Sequence, residues 1–123
     1  MIPVRVVDSI TELQPADAGC IALSGSHGGL SSARYALAAR PLLSVFNDAG
    51  VGLEGAGVSG LAFLQAHGLA ACAVSHMSAR IGLGASTLDS GVVSHANAAA
   101  VSLGIRTGQL LQPQIEQLRR RQT

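Results

Sequence analysis

Three short apolar runs, Cys20 to Ser24, Leu42 to Phe46 and Leu69 to Val74, each lead into a polar cluster, and this punctuation constrains the fold more than any other feature of the chain. Apolar runs of that length, bounded by glycine or polar residues, read as buried strands. The segments between them read as helices. Ser31 and Ser32 are good caps for a stripe of Ala33, Leu37 and neighbouring alanines that ends before Pro41. Val58, Leu61 and Leu64 mark a second helical face, closed at His67-Gly68. Pro3 to Val7 reads as a further strand at an edge, followed by a capping box from Ser9 to Glu12.

Short apolar strands alternating with helices imply a parallel sheet with right-handed crossovers and helices on both faces. The expected fold is therefore a small three-layer α/β domain with a short, mostly parallel sheet of about four strands. Residues 1–108 are expected to form this domain, and residues 109–123 a C-terminal helical tail after Pro113, placed to pack on a neighbouring subunit. Ser86 to Leu103 reads as one long alanine-rich helix despite Gly91, because Leu88, Val92, Ala96, Ala99 and Leu103 share a face.

Composition narrows the function. Charged residues make up 12% of the 123 residues, against roughly 25% in ordinary soluble domains, so a homo-oligomer is expected. All eight basic residues are arginine, which removes Schiff-base chemistry and a phosphate-loop lysine. A net charge of +1 and 2% aromatic residues speak against nucleic-acid binding. Arg119-Arg120-Arg121 reads as a solvated tail. Cys20 and Cys72 lie in apolar runs without a CxxC spacing, as buried reduced thiols. With no leader-like or membrane-length apolar segment, a cytoplasmic location is expected.

The polar clusters carry the chemistry. Ser24-Gly25-Ser26-His27-Gly28-Gly29, Asn47-Asp48 and Ser75-His76 all fall at the carboxyl ends of successive strands, the edge at which open α/β sheets bind ligands. Ser24-Gly25-Ser26-His27-Gly28 resembles the nucleophile elbow of the α/β-hydrolase family, with serine in place of the first glycine. The order Ser26, Asp48, His76 also matches that family's nucleophile, acid and histidine. The family uses a larger sheet and places its acid and histidine further along the chain, so the role is carried over and the membership is not.

The resemblance implies Ser26 as nucleophile, His76 as acid and base, and Asp48 as the orienter of that histidine. The residues themselves also offer a water as nucleophile and His27 as acid and base. Backbone amides at Gly28 and Gly29 would hold an oxyanion or cradle an anion at the following helix. Ser24, Asn47 and Ser75 complete the lining, and Arg80 would clamp a carboxylate. His67 suits the end of a helix, and His95 and Asn97 sit on different faces of the expected long helix.

A metal bound by His27, His76 and Asp48 is conceivable, but no HxH or HExxH spacing supports it, and no cofactor is expected. The expected function is hydrolysis of an amide- or ester-like carbonyl compound. The alternatives are a proton-transfer lyase or isomerase on a carboxylate, and a non-catalytic module that binds an anionic ligand or assembles with a larger enzyme.

Overall fold

The computed structural model describes residues 1–121. Five strands form one sheet in the order β1 (Val4–Val7), β2 (Ile21–His27), β3 (Leu43–Asn47), β4 (Ala70–Val74) and β5 (Val93–Ala96). The first four are parallel, and β5 runs antiparallel to β4. The protein is thus a small α/β domain with a mostly parallel sheet. Among the described residues, no helix is long and apolar enough to cross a membrane.

Residue alternation along the strands sorts the core into two layers. Leu23, Val45, Cys72 and Val74 point to one face, while Phe46, Ala71 and Ala73 point to the other. The crossovers β2–α1–β3 and β3–α2–β4 run in the same direction along the sheet, so α1 (Leu30–Ala39) and α2 (Ser59–Ala66) cover the same face. There Phe46 and Leu64 are fully buried, each contributing about 1.5–3 kcal/mol.

On the opposite face lie α3 (Gly84–Ser90), α4 (Ala98–Ser102) and α5 (Leu111–Arg119). Leu111, Ile115 and Leu118 of α5 enter this chain's own core, and Ile2 N–H donates to Arg119 O at 2.8 Å. Pro113 sits in the first turn of α5, where its missing N–H costs no helical bond. Both cysteines are free and buried, and burial pushes the Cys72 thiol up to about 12.

Four local expectations require correction. The stretch read as one helix from Ser86 to Leu103 is α3, β5 and α4. The chain leaves α3 at Gly91, which is extended and sits where a Cβ would overlap the Thr87 carbonyl and crowd Val74, and the β-branched Val93 then pairs with Val74 at the sheet edge. Consequently the sheet has a fifth strand. Second, β2 does not stop at Ser24 but continues to His27, so the serines belong to a strand and not to a tight elbow. Third, α5 begins two residues before Pro113 and not after it. Fourth, Ser31 and Ser32 do not cap α1: the helix starts at Leu30 with Gly29 as its cap and without a side-chain cap bond, so both serines lie in its first turn. Among the other local signals, the Ser9–Glu12 capping box closes a short 3-10 turn, β1 is an edge strand, and α2 stops at His67-Gly68.

Candidate functional site

Because strand order follows chain order, the carboxyl ends of β2, β3 and β4 are neighbours. At the end of β3, Asn47 is fully buried and ties two loops together. Its Oδ1 accepts from Ala49 N–H at 2.8 Å, and its Nδ2 donates to Ala79 O at 3.1 Å. The next residue, Asp48, is only 5% exposed, yet every donor it needs is present. Oδ1 accepts from Gly50 N–H (2.8 Å), His76 N–H (3.0 Å) and His76 Nδ1 (3.3 Å), and Oδ2 accepts from the Ser94 hydroxyl (2.8 Å).

Burial by itself would raise the Asp48 carboxyl, but the hydrogen bonds from Gly50, Ser94 and His76 outweigh it and hold the group below the ordinary carboxylate value. An ionised Asp48 selects the tautomer of His76 with hydrogen on Nδ1. The Nε2 lone pair is then left without a partner among the described residues, on a side chain that is 48% exposed. At 3.3 Å the Asp48–His76 bond is long.

Ser94 was not foreseen. Ala73 pairs with His95 while Val74 pairs with Val93, so Ser94 is the extra residue of a β-bulge. The bulge turns its hydroxyl onto Asp48, and the same oxygen lies 3.0 Å from His95 Nδ1. Reading this stretch as a helix hid it; the Val92-Val93 pair after Gly91 was the signal that pointed to a strand.

The loop leaving Asp48 is strained. Ala49, Val51 and Glu54 have φ of 52°, 68° and 55°, and for the β-branched Val51 this costs about 1–2 kcal/mol. Two 2.6 Å bonds, Val51 N–H to Asp48 O and Gly57 N–H to Val51 O, hold it in place. Gly57 is needed here, since a Cβ would overlap the Asp48 carbonyl. With Gly at position 51 the relieved strain is offset by a freer unfolded chain and lost side-chain burial, so Val51→Gly should change stability by less than about 1 kcal/mol in urea unfolding. A loss of more than about 2 kcal/mol would mean that Val51 is not held in this conformation.

This loop separates two imidazoles. Gly50 lies against the ring of His76, whereas Ala49, Val51, Gly52, Ala56 and Gly57 line an open hollow of about 260 Å³ with His27.

The other expected residues are placed as follows. Ser24 is buried and donates to Val45 O at 2.8 Å. Ser26 Oγ accepts from Ile10 N–H at 2.9 Å and has no hydrogen bond to Asp48 or His76. His27 Nδ1 accepts from Gly29 N–H at 3.1 Å, and Gly28 N–H donates to Asn47 O at 3.1 Å, so both loop amides already have partners. Ser75 Oγ accepts from Met77 N–H. Arg80 is exposed, and its guanidinium has no ion-pair partner among the described residues.

The structure therefore brings Asp48, His76 and Ser94 together, with Asn47 bracing the loops, and leaves Ser26 bonded elsewhere. Among the described residues, no group of three His, Cys, Asp or Glu side chains is placed to hold a metal ion. No family model, curated protein or solved structure matches the chain.

Proposed function

We propose that the protein is a small-molecule enzyme that hydrolyses an ester- or amide-like carbonyl compound, with His76 as general base and a water as nucleophile. The observation that carries this reading is the paired Asp48 and His76, on a half-exposed side chain whose Nε2 has no partner among the described residues. Nε2 takes a proton from the water as its oxygen attacks the carbonyl carbon, and returns that proton to the leaving group. Asp48 stabilises the imidazolium formed in between. Arg80, four residues beyond His76, is the cation available to anchor a carboxylate. This scheme calls for no metal or cofactor.

A second reading, proton transfer next to a carboxylate, is favoured by the engaged Gly28 and Gly29 amides, since such a reaction does not depend on an oxyanion hole at that loop. A homo-oligomer in the cytoplasm also belongs to this proposal, supported by exposed Leu53, Met77 and Ile81 in loops at the carboxyl edge and by two buried thiols.

Incubation with a panel of small esters and amides, together with a fluorophosphonate probe, tests the reading. Turnover should occur, Ser26→Ala should keep it within about twofold, and mass spectrometry should find no adduct on Ser26. An adduct on Ser26 with turnover lost in Ser26→Ala would overturn the water mechanism. Absence of hydrolysis, with solvent deuterium appearing in a small carboxylate by NMR, would replace hydrolysis by the second reading.

A further inference from the structure

A second concavity lies where the chain passes from α4 to α5, and it shares no lining residue with the Asp48–His76 site. Its volume is about 210 Å³, and its polar wall is formed by Arg106, Gln117 and Arg121. Leu103 and Leu118 supply the apolar part of the lining.

The charge around this hollow is unbalanced. Glu116, the one acidic residue on α5, is already engaged by its own helix: Arg119 Nη1 is 3.3 Å and Arg120 Nη2 3.8 Å from its carboxylate. Neither Arg106 nor Arg121 has an ion-pair partner among the described residues. Two arginines thus line one small space with no acidic partner among the described residues.

The backbone beneath them is fixed. Gln114 accepts from Arg106 N–H at 2.7 Å and donates to Arg106 O at 3.2 Å and Leu110 O at 2.9 Å, which pins the loop that carries Arg106. Gly104, at φ 97°, allows the Arg121 guanidinium to close in, because a Cβ there would stand 3.2 Å from Nη2. The Gln117 side-chain amide has no hydrogen bond to a described residue and adds a third free donor.

We propose that Arg106, Arg121 and Gln117 form a binding site for the phosphate group of a small phosphomonoester. A phosphate monoester near neutral pH carries close to two negative charges and presents three acceptor oxygens, matching two guanidiniums and one amide. The small, predominantly polar hollow suits a compact phosphomonoester. This site is independent of the chemistry at His76.

The test is NMR and calorimetric titration of the intact chain with glycerol 3-phosphate and inorganic phosphate, with glycerol and succinate as comparisons. Saturable binding of both phosphates should perturb the amides of Gly104, Arg106 and Gln117, and glycerol should not bind. Arg106→Ala and Arg121→Ala should each weaken binding about tenfold, and the double variant should abolish it. Both side chains are exposed, so the fold should survive, as a thermal melt of each variant verifies. Arg34→Ala, an exposed arginine on α1, and His76→Gln should bind as the parent does. Unchanged binding in the double variant, no saturable phosphate binding, or tighter binding of succinate than of glycerol 3-phosphate would each overturn the proposal.

Discussion

Replacing His76 by glutamine should lower kcat by about 10²–10⁴-fold with the fold intact, since this is the range lost when a positioned general base is removed. The side chain is half exposed and contributes one long bond to Asp48, while the backbone N–H that also bonds Asp48 survives the substitution. Stability should therefore change by less than about 1 kcal/mol, as expected for a solvent-facing position. Steady-state kinetics beside a urea melt separates the two effects. A variant that unfolds early would say that the imidazole is structural, and one that turns over at the parental rate would remove His76 from the mechanism.

Asp48 is expected to show the opposite balance, with a large cost in stability as well as in rate. Asp48→Ala leaves Gly50 N–H and His76 N–H without their acceptor and the Ser94 hydroxyl with only Ala73 O, at 3.3 Å, and should cost about 3 kcal/mol. Asp48→Asn keeps one acceptor oxygen but loses the charge, so a loss of about 2 kcal/mol is expected. Its kcat should fall about 10²-fold, because His76 is no longer held in the tautomer that leaves Nε2 basic. Rescue of stability without rescue of rate in the asparagine variant would mark Asp48 as an orienter and not merely a loop cap.

The pH dependence follows from the lowered Asp48 carboxyl. Its stabilisation is fully present above the unfolded-state value of about 3.9 and is lost as the pH falls through the lower folded-state value. Urea unfolding of the parent and of Asp48→Asn should therefore differ most near neutral pH and converge in acid. A gap that stays constant below pH of about 3 would contradict an ionised Asp48 in the folded protein.

These expectations rest on a site that was only partly legible in the sequence. Asp48 and His76 stood out because each follows a short apolar run, and a strand must present its next residue at the sheet edge. Ser94 did not, because Leu88, Val92, Ala96 and Leu103 repeat at helical spacing even though Gly91 and two valines interrupt the helix. Ser26 carried the strongest local motif, yet β2 runs through it, and its hydroxyl is bonded to Ile10 N–H. A motif of five residues is set by local geometry alone; whether its hydroxyl is free depends on a residue sixteen positions away.

By itself the sequence determined the alternation of strands and helices, the burial of Phe46, Leu64 and Cys72, and the presence of polar residues at three strand ends. Those properties follow from hydrophobic period and from turn chemistry, which act over a few residues. Only the tertiary structure decided which strand ends adjoin, that an edge strand supplies Ser94, and that the amides of Gly28 and Gly29 are already bonded. Hydrogen-bond partners are chosen by what the folded chain brings within about 3 Å, and no local pattern encodes that.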